Sequence, residues 1–321
     1  MLTTTLLSRR TTLLAGVGLA LGATALPGMA QAPAQQRTPE NENRWARMGV
    51  SLKGKTALVT GSTDGLGKEV ARQLGALGAR VLVHGRNQER GEKVAGAIRS
   101  AGGDAMFYRA DLASLAAVDA FATQIRNGHD RLDLLINNAA AVSGPQRQTS
   151  ADGHELAFAV NYLAHFLLTY RLLPLLESSA PARVVNVSSL GQTPLDFADL
   201  MMERSYSAGD AYRRSKLAQI MFTIDLAAEL DAAKVTVNSL HPARSMNTAR
   251  VLNGGFQPLS TVEEGAEATM QLAVSPELAG RTGLYFNGLN EARANAQAYD
   301  ESARAQLRAL SRALTGVTAR S

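Results

Sequence analysis

Thr56-Ala57-Leu58-Val59-Thr60 runs directly into Gly61-Ser62-Thr63-Asp64-Gly65-Leu66-Gly67, and apolar residues then recur with helical spacing over 66–78. A buried strand, a glycine turn and a helix in that order open an alternating fold. Outward from this stretch the alternation continues. Short apolar, β-branched runs at 81–84, 105–109, 132–137, 183–187, 235–240 and 283–287 predict further strands. Helical patterns at 88–101, 114–127, 152–178, 210–232 and 262–274 separate them. A last helix over 300–315 sets Leu307, Leu310 and Leu314 on one face and stops at Gly316. Strands joined by helices run parallel with right-handed crossovers, and near-continuous apolar strands are covered on both faces. The fold class is therefore α/β, a single doubly wound domain over 51–321 with about seven parallel strands.

The glycines let the chain turn sharply and approach a pyrophosphate, whose charge meets the helix N-terminus. Their spacing is G-x-x-x-G-x-G rather than G-x-G-x-x-G, a pattern that an ordinary turn also satisfies. Its place after the first strand favours a nucleotide cradle made of Gly61, Ser62, Thr63, Asp64, Gly65, Leu66 and Gly67. The second strand ends Val83-His84-Gly85-Arg86-Asn87. Gly85 stands where an NAD-binding fold usually carries an acid for the ribose hydroxyls, while Arg86 suits a 2′-phosphate. NADP(H) is thus favoured over NAD(H), with Arg86 and Asn87 as contacts. A solvated arginine is the alternative, and the Asp64 carboxylate opposes a nearby phosphate. The third strand leads to Asp111-Leu112, and the fourth ends Asn137-Asn138-Ala139-Ala140. Small residues at strand ends leave room for a flat cofactor, or are only turn residues.

Of the seven tyrosines only Tyr212 has a lysine four residues on, at Lys216, so the two share a helix face. A tyrosine hydroxyl titrates near ~10 and exchanges protons poorly at neutral pH. An adjacent ammonium stabilises phenolate and makes the exchange feasible. Ser188-Ser189 close the strand over 183–187, where a hydroxyl faces the same cleft or merely begins a loop. Asn161 interrupts an apolar helix; a buried amide must be bonded, either to fix a kink or to hold a water leading toward Lys216.

The order Gly61/Gly65/Gly67, Asp111, Asn137-Asn138-Ala139, Asn161, Ser189 and Tyr212-x-x-x-Lys216 resembles the short-chain dehydrogenase/reductase family over nearly all of 53–316. The spacer over 190–211, the stretch over 161–169 and Tyr212-Arg213-Arg214-Ser215-Lys216-Leu217-Ala218 look like its retinol dehydrogenase-like branch. The resemblance implies a Rossmann-type fold and an oxidoreductase interconverting an alcohol and an aldehyde or ketone by hydride transfer. It implies that Tyr212 exchanges the proton and that Lys216 favours its phenolate and holds the nicotinamide ribose. It also implies that Ser189, rather than Ser188, positions the carbonyl, and that Asn161 organises a relay water. Asn138, Ala139, Ala140, Pro242 and Thr248 join the cofactor contacts. Two departures stand out: Ala140 and Ala243 occupy positions where the family carries glycine. The competing reading is a non-catalytic NADP-binding regulator or scaffold, against which all four catalytic positions are filled.

Composition bounds the rest. The 321 residues are 45% hydrophobic and 19% charged, which excludes a disordered or fibrous chain. The absence of cysteine excludes disulfides, thiolate catalysis and cysteine-ligated metals, and the five histidines are scattered, so no metal is expected. A net charge of +5 without a basic run argues against nucleic-acid binding. The segments 142–152, 190–208 and 243–260, with Leu195, Phe197, Met201, Met202, Leu252 and Phe256, are expected to line a pocket for a fairly apolar small molecule. Helix packing explains the same residues. Dimers and tetramers occur in the family it resembles, which leaves a homo-oligomer open. Residues 1–30 hold no acid, carry Arg9-Arg10 before an apolar stretch, and end in Gly28-x-Ala30. They are expected to be a twin-arginine signal, followed by a polar linker over 31–50 and export to the periplasm without lasting membrane contact. An uncleaved anchor or a cytoplasmic enzyme is the alternative.

Overall fold

A computed structural model describes residues 44–142, 144–253, 255 and 257–319. The expected leader at 1–30, and 31–43 of the expected linker, lie outside them. Seven strands are parallel: β1 Thr56–Val59, β2 Arg80–Gly85, β3 Asp104–Arg109, β4 Leu134–Asn137, β5 Ala182–Val187, β6 Val235–His241 and β7 Tyr285–Asn287. An eighth, β8 Asn290–Ala292, pairs antiparallel with β7. It is too short and polar for alternation to reveal. The turn before it places Gly288 at φ +60°, the first central position of a tight hairpin. The sheet order is β3-β2-β1-β4-β5-β6-β7-β8. Its direction of winding reverses between β1 and β4, and a crevice opens there beyond the carboxyl ends of the strands.

Ten α-helices lie among the described residues. They are α1 Arg44–Arg47, α2 Gly65–Ala76, α3 Gln88–Ser100, α4 Leu115–Gly128, α5 Leu156–Phe158, α6 Ala164–Ser178, α7 Ala208–Glu229, α8 Ala249–Asn253, α9 Val262–Val274 and α10 Glu301–Thr315. A π turn over Ala159–Leu163 joins α5 to α6. One core lies between the sheet and α4, α6, α7 and α10; the other lies on the opposite face beneath α2, α3 and α9. The apolar helix from Leu156 to Ser178 is long enough to cross a membrane, but it is mostly buried inside the domain as a sheet-covering core helix. The polar linker expected over 31–50 is corrected at its end. Trp45 of α1 is 5% exposed and packs in the second core, so residues from 44 onward belong to the domain. A lone tryptophan in a polar stretch gives no periodic signal.

Local chemistry aims the elements at the crevice. Asp64 caps α2, its Oδ1 accepting from Gly65 N–H at 2.8 Å. Ser207 caps α7 by accepting from Asp210 N–H, which fixes where that helix starts and so which face carries Tyr212 and Lys216.

Candidate active site

A cleft of about 960 Å³ runs across the carboxyl ends of β1, β2, β4, β5 and β6. Gly61, Thr63, Asp64, Gly65, Leu66 and Gly67 form one wall, with Arg86, Asp111, Leu112, Asn138, Ala139 and Ala140 beside them. Ser189, Tyr212, Lys216 and Pro242 also line it, as does Thr248, whose Cγ2 lies against Gly65. The glycines are needed where they stand. A Cβ on Gly61, at φ +64°, would lie 2.8 Å from Ala139 Cα, and one on Gly67 would lie 2.4 Å from Gly61 O. Only bare backbone fits between the α2 N-terminus and the end of β4, and that backbone faces the cleft.

The loop is locked from behind by buried polar groups. Asn138 Nδ2 donates to Thr60 O at 2.9 Å, and Thr60 Oγ1 accepts from Asn138 N–H at 2.9 Å and Ala139 N–H at 3.0 Å. Gly61 N–H donates to His84 Nδ1 at 3.1 Å. Burial pushes His84 down to about 4, so the ring is neutral and able to accept. It stacks on Phe121 at 4.7 Å. His84 was not singled out by sequence, since a lone histidine in an apolar strand reads as core.

Three expected site residues face elsewhere. Ser62 is fully buried; its Oγ donates to Val59 O at 2.8 Å and accepts from His84 N–H at 3.0 Å, tying β1 to β2 instead of lining the cleft. Asn87 is the cap of α3, its Oδ1 accepting from Arg90 N–H at 2.9 Å. Asn161 is fully buried in the π turn. Its Oδ1 accepts from Ala141 N–H at 2.7 Å, and its Nδ2 donates to Ala141 O at 3.0 Å and Ser215 Oγ at 2.9 Å. It pins the loop after β4 to the helices, and its side chain does not line the cleft.

The remaining candidates converge. Tyr212 and Lys216 share one face of α7, with Lys216 Nζ 5.8 Å from the Tyr212 ring centroid. Lys216 is 2% exposed, and its Nζ donates to Val187 O at 2.7 Å and Gln219 Oε1 at 3.1 Å. The two serines divide their work. Ser188 is buried and its Oγ donates to Lys216 O at 2.7 Å, while Ser189 stays partly exposed. Ser189 O is held by Tyr285 O–H at 3.0 Å and Gln192 Nε2 at 2.9 Å. Burial pushes Tyr285 up to about 12, which keeps it a donor.

The expected pocket lining is corrected in part. Within 190–208, Leu195 and Leu200 are buried in the first core with Phe197 and Met201 packed against it, and Met202 is buried in a small cluster with Ala157 and Ala211. Leu252 is 54% exposed and does not line the cleft; Phe256 lies outside the described residues. The apolar surface instead comes from Val142, Leu156, Val160, Met246 and Val251. Among the described residues no group of three or more acidic, histidine or cysteine side chains could hold a metal ion.

The short chain dehydrogenase family profile matches residues 55–251. Retinol dehydrogenase 14 of Homo sapiens is 39% identical over 83% of this chain and 88% of its own. A crystal structure of an uncharacterized protein from Mycobacterium paratuberculosis superposes with TM-score 0.70 at 31% identity, covering 83% of this chain and 95% of that one. A short chain dehydrogenase from Escherichia coli CFT073 complexed with NADPH gives TM-score 0.63 at 27% identity over 75% of this chain and 99% of that one.

The same comparison corrects the expected location. The expected periplasmic export does not stand beside these relatives, which are retinol dehydrogenases of human and mouse. A chain that shares this profile through its glycine loop and its tyrosine–lysine helix belongs to the short-chain dehydrogenase family, on the retinol dehydrogenase-like side, as an oxidoreductase acting on CH–OH and C=O groups.

Proposed function

We propose that the chain is an NADP(H)-dependent oxidoreductase interconverting an apolar alcohol and its aldehyde or ketone, with Tyr212 as the acid–base group. One observation carries the cofactor preference. A Cβ at Gly85 would lie 2.4 Å from Thr63 Cγ2, so the position from which an acid would reach the ribose hydroxyls is closed. The exposed Arg86 guanidinium lines the cleft beside it. A 2′-phosphate matches that charge, and Asp64, engaged in capping α2, has a competing partner. The NADPH held by the Escherichia coli structure supports the same reading. The bare glycine wall, the α2 N-terminus and the small residues at 139–140 suit a dinucleotide's pyrophosphate and flat rings.

Bound nicotinamide supplies or accepts the hydride at the substrate carbon. The chain's own residues do the rest. Ser189 Oγ donates to the substrate oxygen and orients it toward Tyr212. Tyr212 O–H gives its proton to that oxygen in reduction and takes it back in oxidation. The Lys216 ammonium stabilises the phenolate and holds the nicotinamide ribose. Asn161 is assigned as a positioning residue, since its amide holds Ala141 at the cleft wall. Val142, Leu156, Val160, Met246 and Val251 exclude water around the reacting carbon and suit an apolar substrate, so retinol, named for the human relative, is the first probe.

Replacing Arg86 with Asp tests the cofactor assignment. One charge-assisted contact is worth ~1.5–3 kcal/mol, so the NADP/NAD ratio of kcat/KM is expected to fall by roughly tenfold to a hundredfold. An unchanged ratio sinks the assignment of Arg86.

A further inference from the structure

Behind Lys216 lies a buried polar cluster whose glutamine none of the roles above uses. Gln219, one turn along α7, is fully buried, as are His165, Thr60 and Asn137. Lys216 Nζ can only donate, so the Gln219 oxygen must face it, at 3.1 Å. That fixes the amide: Gln219 Nε2 points at Asn137 O, 3.5 Å away, and lies 3.4 Å from His165 Nδ1.

The histidine tautomer follows from its neighbours. His165 Nδ1 lies 3.0 Å from Asn161 O, and Nε2 lies 3.0 Å from Thr60 Oγ1. Thr60 Oγ1 already accepts from two backbone N–H groups, at Asn138 and Ala139. A third donor there would exceed its two lone pairs. His165 Nε2 therefore accepts from the Thr60 hydroxyl, which also reaches Ile136 O at 3.3 Å, and Nδ1–H donates to Asn161 O. Burial, with the charge of Lys216 adding to it, pushes His165 down to about 3, so the ring stays neutral beside the ammonium.

We propose that Gln219 is a positioning residue for Lys216, its buried amide bracing the ammonium through Oε1 while its Nε2 faces Asn137 O at the end of β4. The inference rests on the reading of Tyr212 and Lys216 given above. Val187 O sets one direction for Nζ and Gln219 Oε1 sets a second, and each helps to hold the charge in place relative to the phenol. Losing one lets the ammonium swing away, so phenolate forms less readily at a given pH.

The test uses the full chain with retinol and NADP⁺. Gln219→Met keeps length and volume but removes the acceptor. It is expected to lower kcat roughly tenfold or more, and to leave the NADPH Kd within about threefold. It is also expected to move the ionisation in the kcat/KM profile to higher pH by about one unit. Gln219→Asn keeps an amide that the flexible lysine can reach, and is expected to recover most of the rate. A folded Gln219→Met with the wild-type rate and pH profile overturns the proposal. An asparagine variant no better than the methionine one does so as well. Tyr212→Phe, run alongside, separates two failures: full turnover there defeats the reading of the whole site, whereas a dead Tyr212→Phe with an unaffected Gln219→Met defeats only the brace.

Discussion

Tyr212→Phe is expected to lower kcat by ~10²–10⁴-fold, the contribution of a positioned acid–base group, while NADPH binds as tightly as before. The ring remains to pack on α7 and above Lys216, whose Nζ lies 5.8 Å from its centroid, so the substitution removes a hydroxyl and little else. Lys216 keeps its bonds to Val187 O and Gln219 Oε1, and its hold on the ribose does not depend on the phenol. The measurement is a pair of assays on one preparation: turnover followed by nicotinamide absorbance, and NADPH binding followed by fluorescence. Normal turnover removes Tyr212 from the mechanism. Lost binding together with lost turnover assigns it to the fold of the cleft.

The second large effect belongs to the nucleotide wall. Gly61→Ala places a methyl group 2.8 Å from Ala139 Cα and forces alanine to φ +64°, a left-handed conformation that costs roughly 1–2 kcal/mol by itself. The neighbouring atom is backbone, held by Ala139 N–H donating to Thr60 Oγ1, so it cannot step aside as a flexible side chain would. The strain separates the loop from the end of β4 where the cofactor is proposed to lie. NADPH affinity is expected to fall by more than tenfold and the melting temperature by several degrees, read by titration and by thermal unfolding. Wild-type affinity for NADPH in a folded Gly61→Ala protein would place the phosphates elsewhere.

Much of the fold was legible because buried parallel strands advertise themselves. Leu58 and Val59, Val81 to Val83, and Val184 and Val185 are apolar on both faces since helices cover both, and such runs are hard to mistake. Tyr212 and Lys216 were legible for a different reason: helical spacing alone puts them together. What sequence hid was direction. Asn87, Ser62 and Asn161 stand at positions adjacent to the cleft, yet a cap, a strand tie and a loop clamp claim their side chains. Leu195 and Met202 read equally as pocket or core, and packing assigned them to the core. Thr63 blocking Gly85 is a contact between elements, which no local pattern encodes, whereas Gln219 reaches Lys216 within one turn of α7 and only its burial singles it out.

The proposed reading turns on whether this cleft binds NADP(H) in preference to NAD(H). It is tested most directly by titrating NADPH and NADH side by side into the full chain and reading both dissociation constants. NADPH is expected to bind tighter by tenfold or more, the share expected of Arg86 on a 2′-phosphate. Equal affinities, or tighter NADH, would contradict it.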